Sequence, residues 1–529
     1  NKNNIWCGYN SRHYDQYILK GIILGLDPYK INNHIIVDNE PGWKYSNRFK
    51  EIQLYNYDVM TSYHGLKELE GFMGNDIRES EVSFNINRKL TPNELDQVIK
   101  YCKHDVEQTI AVFINRIEEF ESHLSLLKAF KLPLHYINKT KAQLSAIILG
   151  AVRQDHDDEF DITIPDTLRI KKYKHIVDWY KNPLNMDDSK RLETEVAGVP
   201  HTFAWGGLHG AIDKYQGKGI FVNVDVSSFY PAIMIEYGFL SRNVANPEKF
   251  REIRDTRLKL KAEGNPMQQP YKIVLNSTYG AMKDKYNALY DPRQANNVCV
   301  AGQLLLLDLI EHLEPHCKLI QSNTDGLFIK LYHENDLDII KEVCKEWENR
   351  TRMSLDYDIF TKIYQKDVNN YIVIHEDGSY ESKGAYVKKL NNLDYDLPIV
   401  NKALVNYFIH GTPVEETIYN CNELKEFQMV VKVSNKFQYA QHGNKKLNER
   451  VLRVFASRDP KDSGVFKMNS RNRLEKIAGT PERCFIRNDD VNGRKIPRKL
   501  DRDWYVQVAK KRLKDFIGID DQLNMWEMV

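Results

Sequence analysis

The stretch from Lys218 to Tyr237 reads KGIFVNVDVSSFYPAIMIEY and decides how the surrounding chain is interpreted. Its first half alternates, with Ile220, Val222 and Val224 on one side, which is the pattern of a half-buried β-strand. Asp225 ends this strand with an exposed carboxylate. The small hydroxyl residues that follow lead into an apolar helical run, so unpaired backbone N–H groups are expected beside the carboxylate. This combination suits a metal-bound triphosphate.

Two further motifs follow in order. Residues 272–280 read KIVLNSTYG, and helical spacing places Lys272, Asn276 and then Tyr279 or Gly280 on one face. Residues 319–329 read LIQSNTDGLFI, two apolar strands around a polar turn, which predicts a β-hairpin. Asp325 is expected at its tip.

The three motifs resemble, in order, D-x-x-S-L-Y-P, K-x-x-x-N-S-x-Y-G and Y-x-D-T-D-S of the family B DNA polymerases. The first matches except that Phe229 replaces Leu, and the second matches at every defined position. The third departs, because Asn323 replaces the first Asp, Gly326 replaces Ser and the leading Tyr is absent. The resemblance implies that Asp225 and Asp325 bind the catalytic metals, and Asn323 is expected to alter metal affinity or choice.

The resemblance implies further site residues. Two Mg²⁺ ions, for which Mn²⁺ substitutes, are expected on Asp225, Asp325 and the Val226 carbonyl. Lys272 is expected to act with the two carboxylates in catalysis, and Tyr230 to exclude a 2′-hydroxyl. The residues expected around the incoming dNTP are Ser228, Phe229, Tyr230, Arg254, Arg257, Lys261, Lys272, Asn276 and Tyr279. For the basic residues of the 254–261 helix, a solvated charged face is the alternative.

Contacts with primer–template DNA are expected on three short segments. They are Gly206 and Gly207 in an aromatic-flanked glycine pair, Gly280, and Lys383 with Tyr386 in a loose K-x-Y match. A tight turn is the alternative for the glycine pair, and an ordinary strand for the last element. A basic C-terminal region reads as a phosphate-tracking segment.

The N-terminal region resembles the exonuclease part of the same family. Asn10 and Asp15 match its second exonuclease motif, and Tyr101 and Asp105 match its third, Y-x-x-x-D. A capping box at residues 91–94 predicts the start of a long helix that carries this motif. Its apolar residues are expected to point inward, namely Leu95, Val98, Ile99, Cys102, Val106 and Ile110. The first motif has no counterpart, so the domain is expected to be truncated and inactive in this chain.

These assignments predict a multidomain fold of the α/β and α+β classes. An RNase H-like 3′–5′ exonuclease domain is expected to precede a right-hand polymerase. The expected boundaries are exonuclease 1–125, linker 126–200, palm 201–245, fingers 246–283, second part of the palm 284–395 and thumb 396–529.

Composition limits the alternatives. The 529 residues carry 75 basic and 73 acidic side chains, so the net charge of +2 alone does not indicate a nucleic-acid partner. The seven cysteines form no C-x-x-C pair, which favours a reducing compartment. No apolar run is long enough for a membrane span. The chain is expected to be cytoplasmic and monomeric, with primer–template DNA and dNTPs as partners; a processivity factor is left open.

The resemblance therefore implies a template-directed DNA polymerase, and its compact form resembles the phage or plasmid type. The intervals between its motifs are too short for the insertions of protein-primed relatives, which favours a nucleic-acid primer. Two alternatives stay open. A degenerate fold that binds primer–template DNA without catalysis is favoured by Asn323, and a nuclease as the main activity is disfavoured by the incomplete exonuclease carboxylates.

Overall fold

The computed structural model describes residues 4–60, 64–84, 86 and 88–517. The α-helices are α1 Asp15–Ile23, α2 Pro28–Asn32, α3 Leu66–Met73, α4 Pro92–Asn115, α5 Ile117–Ala129, α6 Lys141–Leu149, α7 Lys174–Lys181, α8 Phe229–Glu236, α9 Glu248–Ala262, α10 Gln268–Lys283, α11 Pro292–Leu313, α12 Asp336–Thr351, α13 Pro398–His410, α14 Val414–Asn420 and α15 Arg502–Ile517. The strands are β1 Ile5–Gly8, β2 Tyr55–Asp58, β3 Arg191–Val196, β4 Val199–Ala204, β5 Gly207–Ala211, β6 Tyr215–Val226, β7 Cys317–Ser322, β8 Gly326–Leu331, β9 Leu355–Asp367, β10 Asn370–Ile374, β11 Tyr380–Lys383, β12 Met429–Lys432, β13 Ala440–His442, β14 Lys445–Leu447, β15 Val451–Ala456, β16 Val465–Met468, β17 Leu474–Lys476 and β18 Cys484–Ile486.

The chain divides into two compact units. The first contains the described parts of residues 1–121, 133–138 and 388–512, and the second those of residues 122–132, 139–387 and 513–529. Mixed α and β structure with several sheets was predicted and is present. The domain boundaries within the two units stay predictions.

A nine-stranded sheet forms the centre of the second unit. Its strand order is β11-β10-β9-β6-β8-β7-β5-β4-β3, and neighbouring strands pair antiparallel. The strand predicted from alternation is β6, where Val222 and Val224 are fully buried. In this register Asp225 lies between Gly326 of β8 and Asp356 of β9. The sheet therefore brings three distant segments together at one strand end.

Helix α11 supports this sheet. Nearly every residue of α11 is buried, which is the pattern of a helix surrounded by protein rather than lying on a surface. Its Gln303 donates to the Ala204 carbonyl at 2.8 Å and accepts from the Tyr180 hydroxyl at 2.8 Å. These bonds hold the end of β4 in place next to the turn into β5.

Residues 155–161 form an acidic run, DHDDEFD, that contacts basic side chains. Asp158 contacts Arg242 at 2.6 Å and Arg293 at 3.1 Å. Arg242 also contacts the buried Asp291, the residue that caps α11. The run is therefore tied to the start of α11 by ion pairs.

In the first unit, β1 and β2 pair in parallel next to the long helix α4. The capping box was predicted correctly, since the Thr91 hydroxyl accepts from the Glu94 amide and the Glu94 carboxylate from the Thr91 amide. The predicted inward face is wrong, because several of its apolar residues are about half exposed: Leu95, Ile99, Val106 and Ile110. Periodicity identifies an apolar stripe but not what covers it.

The C-terminal segment of the first unit forms two small sheets, β12-β15-β18 and β14-β13-β16-β17. The guanidinium of Arg453 in β15 is fully buried and donates to the carbonyls of Glu70, Gly71 and Asn75 at the end of α3. The Glu70 and Gly71 carbonyls also accept from the amides of Asn75 and Gly74, so the guanidinium adds a further donor at the end of this helix. No helix among the described residues is long and apolar enough to cross a membrane.

Candidate active site

The predicted hairpin is formed by β7 and β8 around residues 323–325. The Asn323 side-chain oxygen accepts from the amides of Asp325 and Gly326, both at 3.1 Å, and the Asn323 amide donates to the Gly326 carbonyl at 3.0 Å. Short polar side chains close turns in this way. Asn323 therefore shapes the turn that presents Asp325.

Asp225 and Asp325 are brought together by the sheet. The Val226 amide donates to the Asp325 carbonyl at 2.8 Å, which joins the end of β6 to the hairpin tip. The pKa of Asp225 is raised to about 7, first by burial and then by the charges of Asp325, Asp356 and Asp358. Carboxylates that repel one another in a half-buried position favour a bound cation, since a cation removes the repulsion.

Two of these carboxylates were missed by the sequence reasoning. Asp356 and Asp358 alternate on β9, and Asp356 is the cross-strand neighbour of Asp225. The Ser227 hydroxyl donates a short hydrogen bond to Asp356. The available signal was the alternation LDYD at the start of an apolar strand, which puts both carboxylates on one face.

Gly326 lies unusually close to Asp225. A Cβ atom at this position would come within 2.8 Å of the Asp225 Oδ1 and 3.0 Å of the Val224 carbonyl oxygen. In this chain the residue that replaces the family's Ser therefore gives the carboxylate its space.

The turn after Asp225 places Ser228 in a left-handed conformation, with φ of 50°. Helix α8 then begins at Phe229, whose side chain is buried. The guanidinium of Arg257 is also buried and donates a short hydrogen bond to the Ser228 hydroxyl. Burial lowers the pKa of Arg257. Of the three basic candidates on α9, Arg257 is the one that reaches this turn.

The other two basic residues on α9 differ from it. Arg254 contacts Glu236 at 3.1 Å and Asp255 at 2.8 Å, so its charge is balanced within the protein. Lys261 is exposed. The expected set of phosphate contacts is thus divided between a buried, an ion-paired and a solvated residue.

Helix α10 presents the second motif as its spacing predicts. It begins at Gln268 and ends at Lys283, so the whole motif lies within the helix. Asn276 and Gly280 are exposed, and Lys272 is partly exposed. The opposite side packs into the core through Ile273, Val274, Leu275 and Thr278.

Tyr230 and Tyr279 form one aromatic pair. Their ring centroids are 4.5 Å apart at 62°. Burial is the main cause that raises the pKa of both hydroxyls. Gly302 of α11 leaves room for this pair, since a Cβ there would lie 3.1 Å from the Tyr230 ring. The candidate steric gate is therefore held rigidly by α10 and α11.

The glycine pair takes the form of a tight turn. Trp205 and Gly206 connect β4 to β5, and Gly207 has φ of 152°. Trp205 is buried and its indole donates to the Asn185 carbonyl at 2.9 Å. A Cβ on Gly207 would lie 3.8 Å from the Thr324 hydroxyl, so this turn is next to the hairpin tip.

The K-x-Y element follows β11. Lys383 is exposed and ends the strand. The Tyr386 hydroxyl donates to Asp515 at 3.4 Å, and the Lys366 ammonium lies 5.4 Å from its ring centroid. The tyrosine therefore already has protein contacts, whereas the lysine extends into solvent.

In the first unit, three exonuclease candidates line a single cleft. Asp15, Tyr101 and Asp105 border a cavity of about 810 Å³ between β1, α1 and α4. Asn10 is not among its lining residues; its φ is 58° and its amide donates to Asp58 at 2.9 Å. Burial raises the pKa of Asp15, and Asp58 raises it further.

Lys67 was not anticipated in this cleft. Its ammonium lies 2.5 Å from Asp105 Oδ1 and 3.0 Å from Glu70 Oε1. Burial raises the pKa of Glu70 to about 7 although Lys67 acts in the opposite direction. The spacing of Lys67 and Glu70 on α3 allows an ion pair, but the sequence does not indicate that it meets Asp105.

The oxygen donors around Asp225 form the candidate metal site. Within the part of the chain that the structure describes, no group of three or more His, Cys, Asp or Glu side chains is arranged to hold a metal ion. Around Asp225 the donors are nevertheless carboxylate and carbonyl oxygens, which suit Mg²⁺ and Mn²⁺. The residues near Asp225 therefore fit such an ion in their chemistry.

Comparison with known proteins indicates one class, the DNA polymerases. The DNA polymerase 1 of Saccharolobus solfataricus is 26% identical over 359 residues, which are 58% of this chain and 38% of that protein. The DNA polymerase 1 of Sulfolobus acidocaldarius is 28% identical over 132 residues, 24% of this chain and 15% of that protein. The chain thus covers well under half of these curated relatives. No protein-family model matches it.

Among solved structures, the chain is similar to the family B DNA polymerase of the hyperthermophilic archaeon Pyrobaculum calidifontis. The match covers 97% of this chain and 70% of that polymerase chain, at 15% sequence identity and a TM-score of 0.45. The resemblance to DNA polymerases that the motifs predict is confirmed by these sequence relatives, which are named DNA polymerase 1. These relatives are archaeal, so the phage or plasmid type stays a prediction.

Proposed function

We propose that this chain is a template-directed DNA polymerase that adds dNTPs to a primer 3′ end. The observation that carries the proposal is the meeting of Asp225 and Asp325 at the paired ends of β6 and β8, in a cluster of four carboxylates. The sequence relatives named DNA polymerase 1 support the same reaction.

Two Mg²⁺ ions, or Mn²⁺ in their place, would be held by Asp225, Asp325 and the Val226 carbonyl. When bound, they would stabilise the attacking and leaving oxygens of an in-line phosphoryl displacement. The chain's own contribution is to fix these oxygen donors on adjacent strands, so that little reorganisation is needed during reaction.

The triphosphate would be oriented by residues around the α8 turn. The Ser228 and Phe229 amides lie at a helix start, where backbone N–H groups favour anions. Arg257, bonded to Ser228, would reach the phosphates, and Lys272 would meet them from α10. Lys261, Asn276 and Arg254 complete this set, and Arg254 would have to leave Glu236 and Asp255 to reach a phosphate.

The nucleoside would be selected by shape. Tyr230, held against Tyr279, would collide with a 2′-hydroxyl and so favour deoxynucleotides. Tyr279 would lie against the nascent base pair, and Gly280 would leave space for the template strand. Gly206 and Gly207 would contact the template strand, and Lys383 and Tyr386 the duplex behind it.

We also assign the regions as predicted from sequence, with palm around the nine-stranded sheet, fingers on α9 and α10, and an RNase H-like region at the N-terminus. Asn10, Asp15, Tyr101 and Asp105 would be the matched residues of its second and third exonuclease motifs.

The test is extension of a labelled primer on a DNA template with Mg²⁺ and all four dNTPs. Asp225→Ala and Asp325→Ala should each lower the rate by about a thousandfold or more, because each removes a metal ligand. Asp178→Ala, at an exposed position, is the matched control. If the unchanged chain retards primer–template DNA in a gel but extends it in neither Mg²⁺ nor Mn²⁺, it is a binding protein with a degenerate polymerase fold.

A further inference from the structure

The exonuclease-like cleft contains its own cation. The Lys67 ammonium bridges Asp105 Oδ1 at 2.5 Å and Glu70 Oε1 at 3.0 Å, and it lies 4.7 Å from the ring centroid of Tyr101. Its side chain is 15% exposed, whereas that of Glu70 is 0% exposed and that of Asp105 is 30% exposed. One ammonium thus contacts both residues of the Y-x-x-x-D match.

The surroundings explain why a cation is needed there. Glu70 is fully buried, and a buried carboxylate requires a partner. Its second oxygen lies 3.7 Å from His104 Nε2, and burial and the charge of Lys67 lower the pKa of that imidazole. Lys67 is therefore the charge that balances Glu70 and Asp105 together.

The donor set does not fit a catalytic metal in this state. A divalent ion bound to Asp105 Oδ1 would lie about 2 Å from that oxygen, whereas the Lys67 ammonium already lies 2.5 Å from the same oxygen. Two cations that share one carboxylate oxygen repel each other strongly in a partly buried site. Binding a metal at Oδ1 would thus require the Lys67 contact to break.

We propose that Lys67 takes the place of a divalent metal at Asp105, so that this cleft excludes a catalytic metal while Lys67 is present. The cleft is then a metal-independent part of the fold in which Tyr101 and Asp105 are held by an ammonium. The inference does not depend on whether the chain polymerises DNA, since it concerns a separate group of residues.

Binding of Mn²⁺, followed by electron paramagnetic resonance of the free ion, tests the proposal without any activity assay. The full chain is used with Asp225→Asn and Asp325→Asn, so that ions at those residues do not contribute. Lys67→Met and Glu70→Gln are then introduced together into this background. The second change is included because Lys67→Met alone would leave the buried Glu70 carboxylate without its ammonium partner. Asp105→Asn is added separately to the background chain and to that variant, which gives a matched control for each.

The background chain should bind no Mn²⁺ that depends on Asp105. The Lys67→Met, Glu70→Gln variant should gain about one ion per chain with at least tenfold higher affinity, and Asp105→Asn should remove it. Two results would overturn the proposal: binding in the background chain that Asp105→Asn abolishes, or no gain in a Lys67→Met, Glu70→Gln variant that melts like its parent. The comparison of the background chain with and without Asp105→Asn leaves Lys67 unchanged. It therefore stays decisive even if the Lys67→Met, Glu70→Gln variant does not fold.

Discussion

The carboxylates around Asp225 and those around Asp105 differ in how their charge is balanced. Among the described residues, Asp225, Asp325, Asp356 and Asp358 form no ion pair with a basic side chain, and their mutual repulsion adds to burial in raising the pKa of Asp225. Asp105 instead contacts Lys67 at 2.5 Å.

A raised pKa alone does not separate the two regions, because Glu70 next to Lys67 also reaches about 7. The two regions differ in what raises the pKa of each carboxyl group. Asp225 is raised by burial and by other carboxylates, whereas Glu70 is raised by burial against the opposing effect of an ammonium. A cluster without a counter-charge is suited to bind a cation, and a cluster that contains one is already neutralised.

The largest effect on stability is expected from Lys67→Met. Removing one partner of a buried ion pair leaves an uncompensated charge, so the free energy of unfolding should fall by about 3 to 5 kcal/mol. Because the pKa of Glu70 is raised to about 7, this loss should be greater at pH 8, where Glu70 is ionised, than at pH 6. Urea unfolding at the two pH values measures both quantities.

Lys432→Met is the control for that measurement. Lys432 contacts Glu68 at 2.6 Å in the same unit, but its side chain is 48% exposed. Such an exposed pair should contribute less than about 1 kcal/mol. Equal losses for the two variants would mean that Lys67 is an ordinary surface lysine and that the contrast between the regions is wrong.

The next largest effect is expected from Gly326→Ala, which tests the space beside Asp225. The added Cβ would meet the Asp225 oxygen at 2.8 Å and push it away from its position. Displacement of a catalytic group by less than 1 Å should slow primer extension by about ten- to a hundredfold. Stability should change by less than about 2 kcal/mol, because the atom that moves is the end of a side chain.

Gly65→Ala serves as the comparison for this prediction. A Cβ at Gly65 would meet nothing closer than 3.5 Å, and this residue belongs to the exonuclease-like region. Its extension rate should equal that of the unchanged chain. If Gly326→Ala also extends at the full rate, the carboxylate does not depend on this glycine.

The local parts of the candidate site could be predicted from sequence. The alternation in β6, the Asn-Thr-Asp-Gly turn and the spacing on α10 each depend on neighbouring residues, so strand, hairpin and helix face follow from short-range rules. The pairing of Asp225 with Asp325 came from the order of three motifs rather than from geometry.

The parts that depend on long-range register could not be predicted. Asp356 meets Asp225 because β9 pairs with β6 in one particular register, and Lys67 meets Asp105 from a helix 38 residues away. Alternation on β9 puts Asp356 and Asp358 on one face, but no short-range pattern shows which strand or helix these residues or Lys67 will meet. The prediction that the apolar stripe of α4 points inward was wrong for a related reason, since Val106 and Ile110 border the cleft instead of a packed core.

A smaller effect, of opposite sign to that of Lys67→Met, is expected from Asp225→Asn in EDTA. The pKa of Asp225 is raised in the folded chain, so its contribution to stability is full below its unfolded pKa near 4 and is lost as pH rises through 7. The variant should therefore be more stable than its parent at pH 8, by about 1 to 2 kcal/mol after allowance for solvent screening.

This advantage should shrink towards pH 5, where Asp225 is protonated in the folded chain. Thermal melts from pH 5 to pH 8 provide the measurement, with Asp178→Asn as a control that should show no such trend. A constant difference across this range would indicate that neither burial nor the neighbouring carboxylates raise the pKa of Asp225 in the folded chain.

The smallest effect is expected from Asn323→Asp, which adds a fifth carboxylate to the cluster. The turn should survive, because an aspartate oxygen can accept the same hydrogen bonds from the Asp325 and Gly326 amides. The Mg²⁺ concentration for half-maximal extension should fall roughly two- to fivefold, since one partly screened charge contributes on the order of 1 kcal/mol. A Mg²⁺ titration of primer extension measures this value. An unchanged value would mean that residue 323 only shapes the turn, and the departure from the family motif would then have no bearing on metal binding.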